Sequence, residues 1–101
     1  MAIAEVTIIP IGTATTSLSG YVAGMQQVLA QEEGITYELT SMSTIIEGPT
    51  DRLFEVIRTL HESLFETGAG RVSTSIKIDD RRDQPSSSVQ KLRSVREKLQ
   101  S

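Results

Sequence analysis

Hydrophobic and polar positions in this chain follow two periods, and the switches between them mark its elements. Residues 2–12, AIAEVTIIPIG, are rich in Ile and Val and alternate poorly, the pattern of a strand with both faces covered that ends between Pro10 and Gly12. After a short hydroxylated stretch, Leu18, Val22, Met25 and Leu29 recur every three or four residues, which predicts a helix with one buried stripe. Ser17 or Ser19 would cap its start by accepting a free N–H of the first turn, and Gly34 would stop it. Gly20 and Gly24 fall inside this helix and each costs about 1 kcal/mol against Ala. Close helix packing is the expected reason for them, and a ligand approaching the backbone the second.

The stretch YELTSMSTIIEG, residues 37–48, reads as strand, tight turn and strand. Its turn, Thr40 to Thr44, has no glycine but four hydroxyls and the Met42 thioether, with the Glu47 carboxylate close behind. Pro49 and Thr50 open a second helix, with Asp51 near the positive end of its dipole. Leu53, Ile57, Leu60 and Leu64 form its core stripe, Phe54 and Phe65 flank it, and Gly68 is the expected left-handed stop. RVSTSIKID then alternates cleanly, with Val72, Thr74, Ile76 and Ile78 on one face and Arg71, Ser73, Ser75 and Lys77 on the other. A charged, Pro/Ser-rich hinge, DDRRDQPSSS, leads to a last amphipathic helix with Val89, Leu92, Val95 or Arg96, and Leu99 on its stripe, capped by one of Ser86 to Ser88.

The order β-α-β-β-α-β predicts an α+β, ferredoxin-like split βαβ sandwich. Two helices would cover one face of a four-stranded antiparallel sheet in a domain of residues 1–84. The helix of residues 85–101 would pack on that domain or on a neighbouring subunit. The open face would receive Glu5, Thr7 and Ile9, then Thr36, Glu38 and Thr40, then Arg71, Ser73, Ser75 and Lys77. The third strand is ambiguous, because STIIEG can turn out either Thr44 and Ile46 or Ile45 and Glu47.

Composition narrows the function. A chain of 101 residues with two Tyr, two Phe and no Trp builds a lean core, for which oligomerisation is a common remedy. A net charge of −3 argues against nucleic acid, and the lack of Cys removes disulfides, thiolate metal sites and Cys nucleophiles. The apolar N-terminus has no basic region, carries Glu5 and is too short to span a membrane, so a soluble cytoplasmic protein is expected. Catalysis finds little support. His61, the one histidine, falls on a helix flank, no Ser sits in a nucleophile elbow, and GAG at 68–70 precedes a strand rather than a helix. Asp79, Asp80 and Asp83 are interleaved with Arg81 and Arg82, the pattern of a self-neutralising segment rather than a metal cluster.

PIGT at 10–13, SLSGYVA at 17–23, the Tyr37–Gly48 hairpin with its Met, Thr, Glu and Gly, and RVSTSIKIDDRRD at 71–83 together resemble the thiamine-binding, YkoF-like family of small ferredoxin-like proteins. Ser41 and Ser43 stand where that pattern leads one to expect proline and glycine. The resemblance implies no catalytic activity, no cofactor, a homo-oligomer of dimers or tetramers, and thiamine or its hydroxymethylpyrimidine moiety as bound ligand. A regulatory amino-acid-sensing module on the same fold and a small dimeric α+β barrel enzyme are the alternatives, since one fold hosts many functions. Thiamine asks for hydroxyls or carbonyls for its aminopyrimidine, a soft or aromatic surface for the ring and a carboxylate near its cation. The hairpin supplies Thr40, Met42, Thr44 and Glu47, and Ser17, Tyr21, Arg71 and Ser73 are further candidates. A site shared between subunits would gather these scattered pieces.

Overall fold

A computed structural model describes residues 2–13, 18–83 and 88–100, and the expectation for Ser17 lies outside them. The elements are β1 (Ala2–Pro10), α1 (Ser19–Ala30), β2 (Thr36–Leu39), β3 (Thr44–Gly48), α2 (Thr50–Glu66), β4 (Val72–Asp80) and α3 (Ser88–Gln100). The four strands form one sheet in the order β2-β3-β1-β4, every pair antiparallel. This is the ferredoxin-like α+β sandwich.

Two-residue periodicity decides which side chains enter the core. Ala2, Ala4, Val6 and Ile8 of β1 and Ile46 of β3 turn toward the helices and are buried. They meet Met25 and Leu29 of α1 and Leu53, Val56, Ile57, Leu60 and Leu64 of α2. Five buried aliphatic residues at three- and four-residue spacing make α2 the central helix, and its Pro49–Thr50 entry places Asp51 in the first turn as expected. The ambiguity of β3 is settled by Ile46, which is 0% exposed and pairs with Ala4. Ile45 and Glu47 therefore share the open face with Glu5, which pairs with Ile45 and Lys77.

Two local expectations need correction. The cap position of α1 is Leu18, and no side chain caps it, so Ser19 is a helical residue rather than the cap. Gly34 does not end that helix, which stops at Ala30; its φ of +80° serves the turn into β2 instead. Arg52 of α2 fastens this turn, donating to the Glu33 carbonyl at 2.7 Å and pairing with Glu32, and that hydrogen bond to Glu32 is the main reason its guanidinium pKa is raised. Gly68 does adopt the left-handed conformation, φ +102°, after α2.

The C-terminal helix α3 differs from α1 and α2 in burying no side chain. It is held at its start. The Ser88 N–H donates to Glu47 Oε1 at 2.6 Å, the Ser88 hydroxyl donates to Oε2 at 2.9 Å, and Lys91 pairs with Asp79. Glu47 and Asp79 both pair with Ile3 across the ladder, so the first turn of α3 sits over one end of the open face. With this helix the molecule measures 51 × 28 × 20 Å.

Candidate ligand site

Register fixes which pieces share an end of the sheet. Val6 pairs with Thr44 and Pro10 pairs with Val72, so the β2–β3 turn, the end of β1 and the start of β4 lie at one end. There α1 begins and α2 finishes. Within a single chain, therefore, the hairpin tip and the N-terminus of α1 already share an end.

An open groove of 620 Å³ lies there between α1 and α2. Gly20, Tyr21, Gly24, Met25, Gln27 and Val28 line it from α1, and Ser63, Leu64, Glu66 and Thr67 from the last turns of α2. Its cause is local. A Cβ built on Gly20 or Gly24 meets nothing within 4 Å, so these glycines do not serve close helix packing, the expected reason for them. They leave bare backbone where larger side chains would fill the gap to α2.

The chemistry of the groove is mostly apolar with directed acceptors. The Ser63 hydroxyl donates to the Leu60 carbonyl at 2.6 Å, and the Thr67 hydroxyl donates to the Leu64 carbonyl at 2.8 Å. Each proton is spent, and the oxygen lone pairs remain to accept from a guest. Tyr21 offers an aromatic face, Met25 a polarizable sulfur and Glu66 a carboxylate, and no Lys, Arg or His is among the described lining residues.

The residues singled out from sequence are distributed as follows. Tyr21 lines the groove. Thr40 is the keystone of the hairpin turn. Its hydroxyl accepts from the N–H groups of Met42 at 3.3 Å and Ser43 at 3.0 Å, and its own N–H donates to the Ser43 carbonyl at 2.8 Å. That network reverses the chain without glycine, and no described non-glycine residue has a positive φ. Met42 projects from the tip, 84% exposed. Thr44 turns to the helix side, where it accepts from Gln26 Nε2 of α1 at 3.2 Å. Glu47 turns to the open side, toward the opposite end, and binds Ser88. Thr44 and Glu47 thus lie on opposite faces. Arg71 and Ser73 sit at the groove end of β4, Ser73 on the open face beside Ile9. Sequence reasoning missed Ser63, Glu66 and Thr67, although small and hydroxylated residues at four-residue spacing opposite two helical glycines were a readable signal.

Asp79, Asp80 and Asp83 form ion pairs with Lys91, Arg82 and Arg81, and no group of metal-ligating residues occurs among the described residues. His61 faces β4, with Nδ1 2.6 Å from Thr74 Oγ1 and its ring edge-on to Phe65. No described helix is long and apolar enough to cross a membrane.

The sequence pattern of the family described as thiamine-binding protein matches residues 4–96. The chain belongs to that family. Among relatives of this thiamine-binding protein family, the UPF0045 protein YqgV of Bacillus subtilis is 53% identical over 99% of both chains. A UPF0045 protein of Methanothermobacter thermautotrophicus is 42% identical, over 98% of this chain and 100% of its own. The hypothetical protein MJ1052 of Methanocaldococcus jannaschii superposes with a TM-score of 0.84 at 31% identity, over 93% of this chain and 94% of its own. A Thermotoga maritima protein with a provisional thiamine biosynthesis/salvage name shares the fold, with a TM-score of 0.76 at 17% identity over 93% and 97%.

Proposed function

We propose that this chain binds thiamine, or its hydroxymethylpyrimidine moiety, in the groove between α1 and α2, without transforming it. The observation that carries the reading is the groove itself: a space of drug-like size with mostly apolar walls and the hydroxylated residues Ser63 and Thr67 in its lining, in a chain of the thiamine-binding family. A flat aminopyrimidine can lie on the bare backbone of Gly20 and Gly24, against Tyr21 and Met25. Its amino group donates to the lone pairs of Ser63 and Thr67. The thiazolium cation finds Glu66 at the rim and no competing positive side chain among the described lining residues. The provisional salvage name of the Thermotoga maritima neighbour fits this reading. Glu47, expected to face the cation, serves α3 instead in this proposal, and Tyr21 passes from the expected set into the site. The chain acts as a cytoplasmic homo-oligomer, for which its lean core and the open sheet face argue.

A thermal-shift screen of thiamine, hydroxymethylpyrimidine and amino acids tests the ligand. Thiamine at ~100 times its dissociation constant should stabilise the fold by roughly 2.7 kcal/mol. A shift with an amino acid and none with millimolar thiamine would overturn the reading in favour of a sensor module.

A further inference from the structure

We propose that the groove between α1 and α2 takes its ligand in the unphosphorylated form and turns away phosphate esters of the same molecule. This rests on the ligand reading above and adds to it the form of the ligand. Thiamine and hydroxymethylpyrimidine each carry a primary hydroxyl, and a phosphoryl group on it adds a charge of about −1.5 to −2 near neutral pH. Such a group is held by Arg or Lys side chains, or by free N–H groups turned toward it.

The walls of this groove carry no such side chain. Residues 6–31, which include the whole of α1, have no charged side chain. Residues 59–70, which include the other wall, carry Glu62 and Glu66 and no Lys or Arg. Arg58 and Arg71, the basic residues on either side of that segment, are not among the described lining residues, and His61 is turned to Thr74 of β4. The two helix ends that meet at the groove offset one another. α1 opens there without a side-chain cap, and its first turn, with Gly20, presents roughly half a positive charge. α2 closes there without a basic residue in its last turn and presents roughly half a negative one. What remains is the full negative charge of Glu66, which lines the groove and is paired with no Lys or Arg among the described residues. An organic cation is drawn to that charge, a neutral ring is indifferent to it, and a phosphate is repelled by it. The chain thus holds its ligand ahead of phosphoryl transfer to the hydroxyl rather than after it.

The test is titration calorimetry at low ionic strength with thiamine and with its monophosphate ester, on wild type and on Glu66→Lys. Position 66 is exposed in the last turn of α2, where a Lys suits the helix dipole, so the variant should fold. Wild type should bind thiamine at least about tenfold more tightly than the ester, and Glu66→Lys should narrow or reverse that preference by about tenfold. Equal or tighter binding of the ester by wild type would overturn the proposal and leave a ligand site in place. A preference for thiamine that Glu66→Lys leaves unchanged would overturn it as well, because the charge of the groove would not be its cause. A wild type that binds neither compound would overturn the thiamine reading and this proposal with it.

Discussion

Replacing Glu47 by Gln separates a structural carboxylate from a ligand-binding one. Two hydrogen bonds depend on it, from the Ser88 N–H at 2.6 Å and the Ser88 hydroxyl at 2.9 Å, both partly buried. The carboxylate also supplies negative charge at the N-terminus of α3, where the helix dipole favours it. Gln keeps one accepting oxygen but replaces the other with an NH₂ that cannot accept, and it removes the charge. Losing a cap of this kind costs about 0.5–2 kcal/mol, and a charge-assisted hydrogen bond about 1.5–3 kcal/mol. The exposed Lys91–Asp79 pair remains but adds only ~0–1 kcal/mol. Docking of α3 should therefore weaken by about 1–2 kcal/mol, roughly a tenfold rise in its opening. Native-state hydrogen exchange should report this as lost protection at the start of α3, with protection unchanged at Ile46 and Leu53. Thiamine affinity should stay at the wild-type value. A fall in affinity with α3 protection intact would place Glu47 in the ligand site and refute the reasoning.

Gly48→Ala should cost about 1–3 kcal/mol in urea denaturation, because a Cβ there would stand 3.0 Å from both the Gly34 carbonyl oxygen and Ile35 Cγ2, and the backbone cannot yield cheaply; an unchanged midpoint would contradict this packing. The hydrogen bond from Arg82, helped by the Thr50 hydroxyl, holds the Asp80 carboxyl below its ordinary 3.8. A folded pKa below the unfolded one gives stability that is complete above the unfolded value and is lost as pH falls through the folded one. The stability difference between wild type and Asp80→Asn should thus be present at neutral pH and fade as pH falls below the ordinary carboxylate range; a difference that persists in strong acid would contradict the assignment.

The sheet and α2 were legible because their periods are clean. RVSTSIKID alternates without a break, and the α2 stripe from Leu53 to Leu64 repeats over about three turns, so faces and core followed directly. The third strand was not legible, because two adjacent isoleucines satisfy either parity and only pairing with Ala4 selects Ile46 for the core. Thr40 stands out in the sequence by its residue type, but that its hydroxyl does the work that glycine does in other turns shows only in its bonds to the Met42 and Ser43 N–H groups. Glu47 stands out in the sequence as well, yet its partner Ser88 lies 41 residues away, a distance at which no local pattern speaks. The glycines of α1 posed the opposite problem. Packing and ligand approach leave the same sequence mark, and only the empty space around a would-be Cβ distinguishes them.

Titration calorimetry of thiamine with wild type and with Gly24→Leu tests the central claim most directly. The substitution replaces a residue of poor helix propensity, so the fold should survive and even gain about 0.8 kcal/mol from the helix. The leucine side chain projects into open space beside Gly24, where the proposed site would seat the ligand ring. The account predicts thiamine binding to wild type and loss of at least about tenfold in affinity for folded Gly24→Leu. Equal affinity in the two proteins would contradict it.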